Sequence, residues 1–248
     1  MLKFRWAKFI LLLPVGLFAP AWAQEVRVAV AANLRDAFNE MARAYQKEQR
    51  EGLRLLVSFG SSGAFAQQIL QGAPFDLFIA ADTGFPKSVF ERGKGLEPPR
   101  VYGRGKLVLF VPHRVGIKPQ SLQAVLEPSV RKVALANPET APYGRAAKEA
   151  LTKAGLWEKV QPKLVFGQDI GQAVQLTLAA ADAGFINFSA LFAPGLRNQG
   201  EALVVPQRLY TPLDQAALLL SERGRGLYAY LFGEKARIIL KAYGYETP

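Results

Sequence analysis

Short apolar runs alternate with segments of helical apolar spacing in the first third of the chain. Residues 26–31, 53–59 and 77–80 are short runs of mostly apolar residues, which predict buried strands. Between them, residues 33–49 and 62–71 carry apolar side chains at the spacing of one helix face. This alternation predicts an α/β fold with a mostly parallel sheet flanked by helices.

The same alternation returns after a glycine-rich stretch at residues 93–105. It predicts strands at residues 106–111, 133–136, 164–166, 184–188, 202–205 and 215–220, and helices at residues 143–154, 170–181, 226–232 and 235–243. Two α/β series followed by a late strand and helices predict two lobes, with the last segment returning to the first lobe.

We therefore predict that residues 24–105 and 211–248 form lobe 1 and that residues 106–210 form lobe 2. The chain would cross between the lobes near residues 104–106 and 210–215, and two crossings make a hinge. Ligands of such proteins bind in the cleft between the lobes, at the carboxyl ends of the strands.

The first 23 residues have the pattern of a signal peptide. Lys3, Arg5 and Lys8 precede an apolar run of about ten residues, and the Ala21-Trp22-Ala23 segment is a small-x-small cleavage signal. The run is shorter than the roughly 18–20 residues that span a bilayer, which favours a cleaved signal over a membrane anchor. We expect an exported mature chain that begins at residue 24.

Composition narrows the class of protein. The chain has no cysteine, which excludes a disulfide framework and the lipid attachment of a lipoprotein. Its formal charge of +11 becomes +8 without the three cations of the signal peptide, and no Lys/Arg block longer than two occurs in the mature chain. Spread basic charge on an exported chain argues against nucleic acid as a partner and is typical of a solvated basic surface.

Candidate chemistry lies where strands pass into helices. Residues 31–34, 60–63, 142–144 and 168–171 are four such turns, each with small or capping residues. A helix start exposes backbone N–H groups and the positive end of the helix dipole, so four starts aimed at one cleft would bind an anion without a cationic side chain. Helix capping alone explains any one of these turns.

The sequence gives little support for a catalytic or histidine metal site, and carboxylates near the turns bear on a phosphate site. His113 is the only histidine, and it follows a strand in a setting typical of the surface, so neither a catalytic triad nor a histidine metal site is favoured. Carboxylates close to the four turns would suit a protonated anion such as phosphate, although helix-dipole and capping roles are favoured for them. They are Asp36, Asp76, Asp82 and Asp169.

Five segments carry a family resemblance: VAANL at residues 30–34, FGSSG at 59–63, GAPFDLFIAAD at 72–82, ANPETAPYG at 136–144 and RIILKAYGY at 237–245. With these segments the mature chain resembles the periplasmic molybdate-binding proteins of ABC transporters. The resemblance implies a two-lobed periplasmic-binding fold and a molybdate or tungstate ligand held by hydrogen bonds alone. It also implies a periplasmic, non-enzymatic monomer that delivers its anion to an inner-membrane permease, needs no cofactor and holds molybdenum only as the oxyanion.

The resemblance also implies a set of anion contacts. These are Asn33 and Ser62 at the first two helix starts, and the backbone N–H groups of Tyr143 and Ile170 at the other two. Some members add a tyrosine hydroxyl from the strand at residues 184–188, where this chain has Asn187. The fifth contact is therefore open, and Ala32, Ser61 and Asn187 are further candidates.

Two alternatives remain at this point. One is a receptor for sulfate, another oxyanion or a metal ion on the same fold. The other is an exported enzyme, which would need a nucleophile or an acid–base pair in the cleft.

Overall fold

The computed structural model describes residues 24–49 and 52–248, which form two five-stranded sheets flanked by helices. The predicted signal peptide lies outside the described residues. Within the described ranges, the model contains no helix of the length and apolarity that a bilayer crossing requires.

The described residues contain ten strands and eight α-helices. The strands are β1 (Gln24–Ala31), β2 (Leu53–Gly60), β3 (Leu77–Ile79), β4 (Arg100–Gly105), β5 (Leu107–Pro112), β6 (Val133–Ala136), β7 (Leu164–Gly167), β8 (Ala183–Asn187), β9 (Gly200–Val204) and β10 (Leu213–Leu219). The helices are α1 (Arg35–Glu48), α2 (Ser62–Leu70), α3 (Gly84–Glu91), α4 (Pro142–Lys153), α5 (Trp157–Val160), α6 (Ile170–Ala179), α7 (Arg225–Leu231) and α8 (Glu234–Ala242).

The first sheet has the order β2-β1-β3-β10-β4. Strands β2, β1 and β3 are parallel, and β10 runs antiparallel to both β3 and β4. Along the β1–β2 pair the register runs from Gln24 opposite Leu53 to Ala31 opposite Gly60. The carboxyl ends of these two strands therefore lie side by side, and so do the turns that follow them.

The second sheet repeats this plan in the order β7-β6-β8-β5-β9. Strands β7, β6 and β8 are parallel, and β5 runs antiparallel to β8 and β9. Ala136 lies opposite Gly167, so β6 and β7 also end together. In each sheet four of five strands share one direction, which confirms the predicted two-lobed α/β class.

Amphipathic helices cover the sheets. In α1 the buried side chains recur at helical spacing and lie on one face, at Ala37, Phe38, Met41, Ala42 and Tyr45. They pack with Val28, Val30 and Leu77 of the first sheet in one apolar cluster. Burial of each large apolar side chain contributes about 1.5–3 kcal/mol, so this face holds α1 against the first sheet.

The chain passes from the first sheet to the second between Gly105 and Leu107, and it returns to the first sheet at Leu213. The C-terminal end adds a further link, because Glu246 forms an isolated antiparallel bridge with Arg104 beside this crossing.

Several features differ from the sequence-based expectation, among them the four-residue helix α5, which was not predicted. The glycine-rich stretch ends in an edge strand, β4, whose glycines and arginines hide the apolar pattern of a strand. Helix α3 was not predicted, because it has only two buried residues, Pro86 and Val89. The late strand begins at Leu213, two residues early, because Asp214 and Gln215 interrupt its apolar run.

Candidate functional site

The four predicted turns meet around one small cavity between the two sheets. Its walls come from the ends of β1 and β2, from the segment that follows β3, and from the starts of α2, α4 and α6. The lining residues are Ala31, Ala32, Asn33, Gly60, Ser61, Ser62, Ala81, Ala141, Pro142, Tyr143 and Ile170. No charged side chain lines this cavity within the described part of the chain.

Two adjacent serines have different tasks at the start of α2. The Ser61 side chain caps the helix and accepts a hydrogen bond from the Ala64 N–H at 3.3 Å. Ser62 is fully buried, and its Oγ accepts a hydrogen bond from the Ala81 N–H at 2.9 Å. The hydrogen bond from Ala81 uses one lone pair of Ser62 Oγ, and among the described residues no hydrogen bond uses the hydroxyl proton.

Asn33 lies in the short 3₁₀ turn, Ala32–Leu34, that joins β1 to α1. Its side-chain Nδ2 donates to Gln215 Oε1 and to the Tyr245 hydroxyl, both at 3.0 Å. Its Oδ1 is buried and finds no hydrogen-bond partner among the described residues. A buried amide oxygen without a partner is costly, so this side chain has an unmet hydrogen-bonding requirement.

The second sheet contributes helix starts with apolar or aromatic side chains. Helix α4 begins at Pro142, whose missing N–H costs nothing at a helix start, and Tyr143 follows it. Helix α6 begins at Ile170 after Asp169, whose side chain caps the helix by accepting from the Gln172 N–H at 3.0 Å. The backbone N–H groups of Tyr143 and Ile170 lie in first helical turns and find no acceptor among the described residues.

The Tyr143 hydroxyl belongs to a buried polar network behind the cavity. It accepts a hydrogen bond from Gln215 Nε2 at 3.1 Å, and Gln215 Oε1 accepts from the Tyr102 hydroxyl at 2.7 Å. Burial raises the pKa of the Tyr143 hydroxyl well above its ordinary value, and the nearby Tyr245 raises this pKa further. The hydroxyl therefore stays protonated at neutral pH.

The four nearby aspartates do not line the cavity. Asp169 caps α6, and Asp36 lies in the first turn of α1. Asp76 accepts from the Arg27 N–H at 2.8 Å and from the Ser221 hydroxyl. Asp82 accepts from the Phe85 N–H at 3.2 Å. All four thus have roles in capping, in the helix dipole or in local hydrogen bonding.

Two contacts join the lobes at one rim of the cavity. The Gly63 N–H donates to the Thr140 carbonyl at 2.9 Å. Arg145 of α4 forms an ion pair with Asp82 at 2.5 Å, and its guanidinium also lies over the Phe85 ring. Burial raises the pKa of the Asp82 carboxyl, although Arg145 and the Phe85 N–H lower it. The two lobes are therefore in direct contact at this rim.

Asn187, the residue in place of the family's tyrosine, is not among the lining residues of the small cavity. Its Nδ2 donates to the Ser189 hydroxyl at 2.7 Å and to the Asn33 carbonyl at 3.2 Å. Both amide protons are thus used in a link between β8 and the 3₁₀ turn of the first lobe. Ala32 and Ser61, the other additional candidates, do line the cavity.

A larger cavity of about 400 Å³ lies beside the small one and shares Ala32 and Asn33 with it. Charged side chains occur here: Arg35, stacked over the Phe59 ring at 4.3 Å, together with Asp36 and Asp169. These charged groups therefore lie in the wider cavity and not in the small one.

Sequence reasoning missed Gln215, Ala81 and the pairing of Asp82 with Arg145. Gln215 carried a signal, because a polar residue inside the otherwise apolar strand Leu213–Leu219 needs buried partners. The pairing of Asp82 with Arg145 had no signal in the sequence, because 63 residues separate the two.

Comparisons with known proteins agree with this geometry. Residues 26–246 match the family described as bacterial extracellular solute-binding protein. The molybdate-binding protein ModA of Azotobacter vinelandii is 38% identical over 253 residues, covering 98% of this chain and 99% of that protein. The molybdate-binding protein ModA of Rhodobacter capsulatus is also 38% identical, covering 96% of this chain and 94% of that protein.

A solved structure extends the similarity to three dimensions. The periplasmic molybdate-binding protein of A. vinelandii matches with a TM-score of 0.80 and 30% identity, over 90% of this chain and 99% of that one. The resemblance stated from the sequence motifs is thereby confirmed, as is the two-lobed fold. This chain belongs to the bacterial extracellular solute-binding protein family.

Proposed function

We propose that this protein captures molybdate or tungstate in the periplasm and delivers the anion to an inner-membrane ABC permease. One observation carries the proposal: four strand-to-helix turns from two sheets surround a cavity lined only by uncharged residues. Such a cavity suits a dianion that offers only acceptors, because helix starts and hydroxyl groups supply only donors. The names of the most similar relatives point to the same ligand.

The proposed contacts are those expected from the sequence: Asn33, Ser62, Tyr143 and Ile170. Ser62 would donate its hydroxyl proton, which the Ala81 contact leaves available. Tyr143 and Ile170 would donate their backbone N–H groups from the other lobe. Ala32 and Ser61 flank the anion, and we assign Asn187 to holding the Asn33 carbonyl rather than to the anion.

The proposed binding movement is closure of two lobes, residues 24–105 with 211–248 and residues 106–210. The sheet membership of the strands supports these boundaries. Donors from both lobes meet only when the lobes close, so an anion bound between them stabilises the closed form. The contacts of Gly63 with Thr140 and of Asp82 with Arg145 would then hold the rim.

We propose a binding role without catalysis. The relatives are solute-binding proteins. The position of His113, the single histidine, also argues against a catalytic role in the cavity. It is exposed and follows the end of β5, which runs antiparallel to β8, so it lies at the sheet edge opposite the strand ends that form the cavity. Among the described residues, no group of three or more His, Cys, Asp or Glu side chains is arranged to hold a metal ion.

A thermal-shift panel tests the ligand. The purified mature chain is melted with molybdate, tungstate, sulfate, phosphate and ferric citrate. A ligand at about 100 times its Kd stabilises a protein by about 2.7 kcal/mol, which is readily measured. We expect large shifts with molybdate and tungstate only. A shift with sulfate or phosphate alone, or no shift, would contradict the proposed ligand.

A further inference from the structure

The buried network behind the cavity is centred on Gln215, whose side chain is fully enclosed. It joins two residues that line the cavity from opposite lobes. Gln215 Oε1 accepts from Asn33 Nδ2 at 3.0 Å, and Gln215 Nε2 donates to the Tyr143 hydroxyl at 3.1 Å. A third partner, Tyr102, lies within hydrogen-bonding distance of both Gln215 Oε1 and the Ala80 carbonyl.

The amides of Asn33 and Gln215 can occupy this network in two orientations, because the oxygen and nitrogen of an amide are nearly equal in size. In the orientation described above, Asn33 Oδ1 has no partner among the described residues. The Tyr143 hydroxyl accepts from Gln215 Nε2, and none of the hydrogen bonds described for this network uses its own proton. Rotating only one amide would place two oxygens or two NH₂ groups 3.0 Å apart. The two amides must therefore rotate together.

In the rotated orientation Gln215 Nε2 donates to Asn33 Oδ1 and to the Tyr102 hydroxyl, and the single Tyr102 proton goes to the Ala80 carbonyl. Gln215 Oε1 then accepts the Tyr143 proton. Asn33 Oδ1 then also faces the Tyr245 hydroxyl, which donates to it instead of accepting. Every hydroxyl and amide group of Gln215, Tyr102 and Tyr143 is satisfied, and the unpartnered atom becomes Asn33 Nδ2, a donor. Asn33 is one of the residues that line the cavity, so a free donor on its side chain lies beside the proposed anion position.

We propose that Gln215 is a positioning residue that sets the orientation of the Asn33 amide and thereby the specificity of the site. With Asn33 Nδ2 toward the cavity, the site presents only donors and favours a fully deprotonated oxyanion. With Asn33 Oδ1 toward the cavity, it presents an acceptor and favours an oxyanion that carries a proton. This inference rests on the proposed function and adds to it a means of distinguishing molybdate from hydrogenphosphate.

The test compares Gln215→Met with the unmodified chain in calorimetric titrations with molybdate and with phosphate near pH 8, where phosphate is mainly the monoprotonated dianion. Met lacks the amide that fixes Asn33, so Asn33 is free to take either orientation. We expect the ratio of molybdate affinity to phosphate affinity to fall about tenfold or more. An equal loss of both affinities, or no change in either, would overturn the assignment, because a purely structural role would not alter the ratio.

Tyr143→Phe provides a second test that preserves packing. If the Tyr143 proton goes to Gln215 in the bound state, its loss weakens molybdate binding indirectly, by less than about fivefold. A loss beyond about tenfold would show that the hydroxyl donates to the anion itself and that the amides do not rotate. If the unmodified chain binds no oxyanion, the proposed function fails. If it binds molybdate and the ratio is unchanged in Gln215→Met, only the role of Gln215 fails.

Discussion

The two lobes contribute to the cavity in different ways. The first lobe brings polar side chains, Ser62 and Asn33, each held by a further hydrogen bond within that lobe. The second lobe brings helix starts at Tyr143 and Ile170. The Ile170 side chain is apolar and the Tyr143 hydroxyl bonds to Gln215, so each residue has its backbone N–H as the donor for the cavity. The difference suggests that side-chain identity decides affinity in the first lobe and that backbone position decides it in the second.

The largest effect is expected where the two lobes touch. A Cβ added at Gly63 would lie 2.8 Å from the Thr140 carbonyl oxygen and 2.7 Å from the Phe85 ring. Overpacking costs about 1–3 kcal/mol, and here it opposes closure, so Gly63→Ala should weaken molybdate binding by up to about a hundredfold. Gly195→Ala is the control, because nothing lies within 4 Å of the added Cβ. Titration calorimetry of both variants measures the difference, and equal affinities would show that closure at this rim is not required.

Ser62→Ala tests the first lobe directly. It removes the proposed hydroxyl donor to the anion, and a hydrogen bond to a charged group contributes about 1.5–3 kcal/mol, so affinity should fall about 10- to 100-fold. Ser61→Ala is the neighbouring comparison, since it removes the cap of α2 and should cost about 1 kcal/mol of stability. We expect affinity to fall mainly in Ser62→Ala and stability mainly in Ser61→Ala. The opposite pattern would exchange the roles of the two serines.

Arg145→Met tests the ion pair between the lobes. The Arg145 side chain is 43% exposed, so its pairing with Asp82 is a modest interaction, and binding should weaken about two- to fivefold. Arg225→Met is the matched control, because its pairing with Glu222 lies at the start of α7, away from the cavity. A loss of the same size in both variants would point to overall charge instead of the rim.

Asp82 also predicts a dependence of stability on pH. Burial raises its pKa in the folded chain, so between that pKa and the ordinary value the folded chain holds more protons than the unfolded chain. The contribution of Asp82 to stability therefore increases as the pH falls through this window. Asp82→Asn removes the buried charge, so we expect it to raise the melting temperature relative to the unmodified chain. This rise should be largest near pH 7 and should become smaller toward about pH 4. A difference that grows on acidification would show that the carboxyl has a lowered pKa.

The smallest effect is expected at Ile170. Ile170→Val keeps the backbone N–H and removes one buried methylene, so molybdate affinity should stay within about twofold, with a stability loss of about 0.5–1.5 kcal/mol. A large loss of affinity would contradict the assignment of a backbone role to the second lobe.

The sequence predicted most of the cavity because its parts are local. Strand-to-helix turns such as residues 60–63 show themselves by capping serines and by glycine, and parallel pairing then places their ends side by side. The network behind the cavity was not predictable in this way. Asn33 and Gln215 meet across 182 residues, and only the fold shows which buried polar groups become partners. Edge strand β4 was missed because its sequence lacks an apolar pattern.

A titration of the unmodified mature chain with molybdate, at low and at high sodium chloride, tests the central claim most directly. The claim is that uncharged donors from both lobes hold the anion, so we predict a single site whose Kd changes by less than about threefold between the two salts. A Kd that rises steeply with salt would place a lysine or arginine on the anion. An absence of binding at either salt would show that this cavity does not bind molybdate.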